Sequence, residues 1–287
     1  MKIHYWGTAA AEGIPGVFCA CPRCVEAREK GGRYVRTRSQ LMLDDKLLVD
    51  FGADTYMHSL KYGADLSKLA HLFITHTHSD HFYPMELLIR REGYAHKMES
   101  QTLTVYGSTD VPEISKAVWQ ASNSNWESLL ESGRIAFDIM KPYESREAEG
   151  FRVTALPASH GTDNPYIYLF EKEGKCFLMH NDSGYLKPEV MEWLRENNKK
   201  FDLVSYECTH GGDDCSIGFT GNIRHLGLPN VIEERRRFIE NGSYKDTTVE
   251  VITHFSHNPE SAGYGDMLRL AESEGILLAY DGMTLEI

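Results

Sequence analysis

Short apolar runs bounded by turn residues recur along the whole chain, interleaved with segments whose apolar positions repeat at helical spacing. The runs predict strands at Lys2–Gly7, at Leu41–Leu43 and Lys46–Asp50 around an Asp44-Asp45 turn, and at Leu69–Thr75, Leu103–Tyr106 and Arg134–Ile139. Further strands are expected at Phe151–Leu156, at Tyr166–Glu171 and Lys175–His180 around Glu173-Gly174, and at Leu203–Tyr206, Val249–Ile252, Ile276–Ala279 and Met283–Ile287. Helical spacing covers Pro84–Arg91, Pro112–Ala121, Glu189–Asn197, Ile232–Asn241 and Pro259–Glu274. Grouped hairpins with helices between the groups predict an α/β (α+β) protein of two mixed sheets covered by helices.

The 287 residues are enough to bury a large core, as one domain or as two intimate halves. With 30 basic and 42 acidic residues the formal charge is −12, which repels polyanions at long range and argues against nucleic acid as the main partner. No stretch approaches the roughly 20 apolar residues that span a bilayer. The opening Met1-Lys2-Ile3-His4-Tyr5-Trp6 lacks the apolar core of a secretory leader, so the expected address is the cytoplasm, with no membrane partner. In that reducing compartment the crowded Cys19, Cys21 and Cys24 (CxCxxC) favour a metal site over disulfides. Cys176 reads as a small core residue, and Cys208 and Cys215 carry no assigned role.

The densest chemistry is Thr75-His76-Thr77-His78-Ser79-Asp80-His81, directly after the apolar run Leu69 to Ile74. In an extended segment His76 and His78 leave the same face and can converge on one cation. Asp80 and His81 fall where the chain turns out of the strand and suit a second cation. Imidazole and carboxylate donors favour zinc, manganese or iron over calcium. More donors are expected just past other strand ends: His160, Asp182 and His254.

On these residues, in this order, the chain resembles the metallo-β-lactamase superfamily, from the first strand to Asp281-Gly282. The resemblance implies one domain over residues 1–287, a four-layer αββα sandwich with its site along one sheet edge. It also implies that His76, His78 and His160 hold one divalent metal, that Asp80, His81 and His254 hold another, and that Asp182 bridges the two. Asp50 resembles the family's aspartate that fixes a ligand histidine. At the position of His78 the redox flavodiiron relatives carry glutamate, which sides this chain with the hydrolases. Three thiolates lack a fourth ligand for a closed zinc site, and His257 can supply it. That set is similar to PhnP-type phosphodiesterases of phosphonate utilisation, which implies one structural zinc on Cys19, Cys21, Cys24 and His257.

The activity so implied is that of a binuclear metal-dependent phosphodiesterase acting on small, including cyclic, phosphodiesters. The metals share a water, lower its pKa and offset charge on the phosphoryl oxygens, with Asp80 orienting the water. The segment Gly221-Asn222-Ile223-Arg224-His225-Leu226-Gly227 resembles the family's loop histidine, assigned in PhnP-type enzymes to protonating the leaving group. That points to His225, with His210 as the competitor. His4, His58, His71, His96 and His180 read as ordinary histidines, and the region Phe82–Gly150 and the acidic loop Gly211–Thr220 as walls of the pocket. Alternative readings are a lactonase or other ester or amide hydrolase of the same fold, and an accessory protein of cofactor biosynthesis similar to PqqB. PqqB-type proteins have an incomplete catalytic metal set, whereas the set here is complete. Ribonuclease Z shares the HxHxDH motif, yet nothing in the chain resembles its long basic arm. The expected partner is a small phosphodiester, and a homodimer is compatible with the sequence.

Overall fold

The computed structural model of the chain describes residues 1–216, 223–259 and 263–287. Its strands are β1 (Lys2–Gly7), β2 (Gln40–Leu43), β3 (Leu47–Val49), β4 (His71–Phe73), β5 (Leu103–Gly107), β6 (Ile135–Ile139), β7 (Ser145–Ala148), β8 (Phe151–Pro157), β9 (Tyr166–Lys172), β10 (Lys175–His180), β11 (Phe201–Glu207), β12 (Tyr244–Thr253), β13 (Leu277–Leu278) and β14 (Met283–Glu286). Its helices are α1 (Pro22–Lys30), α2 (Thr55–Tyr62), α3 (Asp110–Ala121), α4 (Trp126–Glu131), α5 (Pro188–Glu196), α6 (Leu228–Glu240) and α7 (Tyr264–Ser273). No helix among the described residues is long and apolar enough to cross a membrane.

Alternation along the strands explains how the layers stack. The strands form two sheets of seven, in the orders β14-β1-β2-β3-β4-β5-β6 and β13-β12-β11-β10-β9-β8-β7. On β1, Ile3 and Tyr5 enter one core and Trp6 another; Leu41 and Leu43 against Met42, then Leu47 and Val49 against Leu48, repeat the division. In the second sheet Tyr168 and Phe170 join the same core as Ile3 and Tyr5, while Ile167 and Leu169 turn the other way. The shared core therefore lies between the sheets. The outer faces pack under α3 (Val111, Trp119) and α4 (Leu129) on one side, and under α5 (Val190, Leu194), α6 (Val231, Phe238) and α7 (Met267, Ala271) on the other. Strands apolar on both faces need cover on both, and the αββα sandwich follows.

Several elements depart from the sequence reading. The expected helix at Pro84–Arg91 is a 3₁₀ turn over Glu86–Arg90. The helix expected from Pro259 begins at Tyr264, and residues 260–262 lie outside the described residues. Helix α1 was not expected, because it buries only Cys24 and Ala27 and so carries no apolar stripe. Among the described residues, none from 82–150 lines the cavity at the histidine-rich edge. Strands β5 and β6 extend the first sheet and α3 and α4 cover its outer face, where Trp119, Val111 and Leu129 are buried, while β7 joins the edge of the second sheet.

Topology then places the site. Strand β4 runs parallel to β3 and β5, and β10, β11 and β12 run parallel to one another, so each set delivers its C-terminal loops to one edge. Tyr166 N donates to the Thr75 carbonyl at 2.8 Å and the Tyr168 hydroxyl to the Ile74 carbonyl at 2.8 Å, which registers the sheets at the start of the His76 loop. Gly52 lets that loop close in, since a Cβ there would sit 2.2 Å from the Asp80 carbonyl oxygen.

Behind this edge a buried polar chain ties the last hairpin to β2 and α2. Thr37 Oγ1 lies 2.6 Å from both Asp281 Oδ2 and His58 Nε2, and His58 Nδ1 lies 2.6 Å from Gln40 Oε1. The Gln40 amide nitrogen donates to the Asp50 carbonyl and to Thr55, so Oε1 can only accept and the His58 proton sits on Nδ1. Burial pushes His58 down to about 4 and pushes Asp281 up. That selects a neutral imidazole whose Nε2 accepts from Thr37 Oγ1, while Thr37 N and Thr8 Oγ1 donate to the Asp281 carboxyl group. Unfolded, His58 would take a proton near pH 6.5. Its contribution to stability is therefore complete above that value and is lost as pH falls towards about 4. Asp281, shifted upward, works with the opposite sign, so the informative quantity is the stability of the parent protein minus that of His58→Gln. This difference should shrink by roughly 3 kcal/mol as pH falls through that window. Urea midpoints measured at each pH test it, and a constant difference would remove His58 as a source of acid sensitivity.

Candidate metal centre

Four strand ends supply the site. After β4 the chain turns sharply, with His81 N and Phe82 N both donating to the His78 carbonyl. His160 follows β8, Asp182 follows β10 and His254 follows β12. Asp50 (φ 64°), Asp182 (φ 42°) and His254 (φ 60°) all adopt left-handed backbone that costs a non-glycine residue on the order of 1 kcal/mol or more, a strain that concentrates at functional edges.

These turns bring every sequence-predicted donor of the binuclear pattern together. His76 Nε2 and His160 Nε2 each lie 3.0 Å from His78 Nδ1, and Asp182 Oδ2 lies 3.3 Å from His76 Nε2 and 3.5 Å from His160 Nε2. Beside them, His81 Nε2 and His254 Nε2 are 3.2 Å apart, and Asp80 Oδ2 and Asp182 Oδ2 are each 3.2 Å from His81 Nε2. Asp182 belongs to both sets, and within each set the donor atoms lie within 4.8 Å of one another.

The surrounding hydrogen bonds show what those atoms are arranged for. Thr75 Oγ1 donates to Asp50 and so accepts from His76 Nδ1 at 3.0 Å; Asp50 Oδ2 accepts from His81 Nδ1 at 2.6 Å. Thr209 Oγ1 donates to Glu207 at 2.6 Å and accepts from His254 Nδ1 at 2.9 Å. Each of these imidazoles spends its Nδ1 proton outward and turns Nε2 inward. Asp182 Oδ1 lies 2.8 Å from His254 Nε2 yet outside hydrogen-bonding geometry. Converging donors of this kind fit divalent transition metals.

Electrostatics agree. Burial penalises both carboxylates, yet the charges of His81 and His254 hold Asp80 and Asp182 well below the usual carboxylate range. Burial likewise opposes a charged His254, but Asp182 and Asp80 raise it to about 10, and His81 also rises. His76 is driven down to about 3 by burial and by His81. The carboxylates thus demand positive charge on this edge, as protons or as metal cations.

Cys19, Cys21, Cys24 and His257 form a separate cluster. His257 Nδ1 lies 3.7 Å from Cys19 Sγ and 3.6 Å from Cys21 Sγ. Tetrahedral zinc with sulfur at about 2.3 Å and nitrogen at about 2.0 Å sets such edges near 3.5 Å, so these donors fit zinc. Burial pushes Cys24 up to about 11, while against burial hydrogen bonds from the Cys24 amide, from the neighbouring thiols and from His257 draw Cys21 down to about 6.

His225 stands beside the two sets, its ring 4.8 Å from that of His160 and 6.1 Å from that of His254. Its Nδ1 lies 3.2 Å from Glu207 Oε1. Burial opposes its charged form, but Glu207 raises its pKa above the ordinary value. Exposed His210 sits farther out, 6.3 Å from the His225 ring. Gly221 and Asn222 of the predicted segment, and residues 217–220 of the expected acidic wall, lie outside the described residues. The sequence reading missed Glu207 and Thr209. Glu207 is fully buried and accepts from Thr209 N, Thr209 Oγ1 and Leu226 N. Its signal was positional, since β11 runs parallel between β10 and β12, whose ends carry Asp182 and His254. A cavity of about 310 Å³ opens on Asp80, Asp182, His225 and His254, walled by the loops at Ala10–Glu12 and Ser256–Pro259.

A family profile described as "Beta-lactamase superfamily domain" matches residues 46–238, well over half of the chain. Ribonuclease Z of Staphylococcus carnosus (strain TM300) is 26% identical over 161 residues, covering 56% of this chain and 46% of that protein. Ribonuclease Z of Listeria innocua serovar 6a is 28% identical over 145 residues, covering 50% and 45%. The chain thus spans about half the length of the curated relatives it matches. Because those relatives are ribonucleases, the expectation that nucleic acid is not a partner finds no support in them. Among solved structures, a diphosphatase of the PhnP family superposes with a TM-score of 0.71 at 20% identity, covering 100% of this chain and 97% of that one. Zn(2+)-bound PqqB of Methylobacterium extorquens superposes with a TM-score of 0.74 at 17% identity, covering 100% of both. At these identities the structural likeness speaks for the fold, while the profile match and the strand-end donors fix the family: this chain belongs to the metallo-β-lactamase superfamily.

Proposed function

We propose that the chain is a phosphodiesterase with a binuclear centre, in which His76, His78 and His160 hold one metal, Asp80, His81 and His254 hold the second, and Asp182 serves both. The supporting observation is the pair of donor sets joined at Asp182 on one cavity, with a carboxylate-backed histidine beside them. Divalent metals bound there would supply an activated water and offset charge on the phosphoryl oxygens. Asp50, Thr75 and Thr209 hold the three inward-turned imidazoles in the tautomer that presents Nε2. Asp80 orients the water. His225 donates from Nε2 to the departing oxygen, and Glu207 holds the ring by its Nδ1 face. Cys19, Cys21, Cys24 and His257 bind a structural zinc that ties the loop after β1 to the loop after β12. The ribonuclease Z relatives favour a second reading, in which the phosphodiester belongs to an RNA and the same residues act on it.

Metal analysis together with a panel of linear and cyclic phosphodiesters, an RNA oligonucleotide and a lactone tests this reading. Turnover of the lactone alone would move the activity to acyl transfer, and inactivity on every ester with metals fully loaded would point to an accessory role like that of PqqB. His76→Ala should lower turnover by at least about a hundredfold with little change in melting temperature. Cys21→Ser should instead lower the melting temperature, and equal loss of soluble protein in both variants would contradict this division. Glu207→Gln should lower kcat by roughly 10²–10⁴ for alkyl leaving groups and far less for p-nitrophenol, which departs without a proton. Equal losses with both leaving groups would assign Glu207 a purely structural role.

A further inference from the structure

One wall of the cavity carries a carboxylate that neither donor set uses. The loop after β1 pairs with the loop after β12: Ala10 N donates to the Phe255 carbonyl and Phe255 N to the Thr8 carbonyl, each at 2.9 Å. Ala9 and Phe255 form a β-bridge at the same place. This ladder sets Glu12 beside Ser256 and Asn258. Glu12 Oε1 accepts from Ser256 Oγ at 2.9 Å and from Asn258 Nδ2 at 2.7 Å, and Asn258 N donates to Ser256 Oγ at 3.1 Å. All three residues line the cavity together with Asp80, Asp182 and His225.

The hydrogen-bond inventory of this wall leaves acceptors over. Both anchoring donors converge on Oε1 and leave the second carboxylate oxygen unused by either. Asn258 spends one N–H of its amide on Glu12, which leaves the acceptor Oδ1 and the second N–H. No lysine or arginine pairs with Glu12 among the described residues, so the carboxylate is not explained as half of an ion pair. Acceptors and negative charge within reach of a phosphoryl site complement hydroxyl groups and repel a further anion.

We propose that Glu12 and Asn258 form the subsite for an alcohol arm of the substrate and select arms bearing hydroxyl groups, as in glycerol or a sugar. This inference rests on the phosphodiesterase reading and deepens it. A hydroxylated arm satisfies Oε2 of Glu12 and Oδ1 of Asn258, whereas a bare alkyl arm covers both acceptors without replacing their water. An arm carrying a second phosphate meets the Glu12 charge.

The test compares three p-nitrophenyl phosphodiesters that share a leaving group and differ in the second arm: glyceryl, propyl and 3-aminopropyl. In the metal-loaded parent protein kcat/KM should be at least about tenfold higher for the glyceryl than for the propyl ester, a ratio well inside what an unpaired polar group can impose. The ratio should fall towards one in Glu12→Ala. It should fall likewise in Glu12→Gln, which keeps the volume and the Oε1 anchor but replaces the second acceptor by a donor. A ratio that is the same in the parent and both variants overturns the proposal. A preference for the aminopropyl ester also overturns it, since it would identify an ammonium site. Calorimetry with glycerol 3-phosphate and propyl phosphate reads the subsite without turnover. Tighter binding of the glycerol compound in the parent alone supports the subsite, and equal binding in the parent rejects it. Absence of hydrolysis of all three esters counts against the phosphodiesterase reading instead.

Discussion

The interaction on which this architecture turns is the burial of three carboxylates, Asp50, Asp80 and Asp182, among imidazoles on one sheet edge. An ionised carboxylate withdrawn from water costs several kcal/mol unless positive charge and hydrogen bonds replace its hydration. Nothing apolar could stand in for that compensation. Asp80 and Asp182 favour charge on His81 and His254, and His76, His81 and His254 are each fixed from behind by a hydrogen bond at Nδ1. Asp182 is the carboxylate common to both donor sets.

Holding such a cluster requires a scaffold that does not yield, and the twin-sheet core provides it. Phe73 and Tyr168 meet across the two sheets with ring centroids 5.6 Å apart, immediately before the His76 loop. The positive backbone angles at Asp50, Asp182 and His254 fall at the ends of β3, β10 and β12, each of which has a parallel neighbour within its sheet. The cysteine cluster braces the same edge from outside the sheets, joining the segment that leaves β1 to the one that leaves β12. The walls of the cavity, Glu12 and Asn258 included, are thereby attached to the loops that carry the histidine and aspartate donors.

Much of this was legible in the residues. The HxHxDH motif after an apolar run encodes its geometry locally, because strand alternation points His76 and His78 the same way and the following turn redirects Asp80 and His81. The CxCxxC cluster is equally local. Strands β9 and β10 were predicted nearly to the residue, since two-sided burial makes them continuous apolar runs closed by a Glu173-Gly174 turn. Helices α1 and α4 were not, because one buries almost nothing apolar and the other is only six residues long.

Local pattern therefore determined the donors: which residue types end the strands, and that imidazoles and carboxylates lie at spacings suited to cations. Only the tertiary structure decided their partnerships. Glu207 and Thr209 look like ordinary strand-end polar residues until β11 is seen between β10 and β12, and Glu12 has no visible chemistry until the loop after β1 pairs with Phe255. The physical reason is range. Side-chain direction along a strand is set by backbone geometry within a few residues, whereas the distance between Glu207 and His225, or between Glu12 and Asn258, is set by how two sheets and their loops close over a common core.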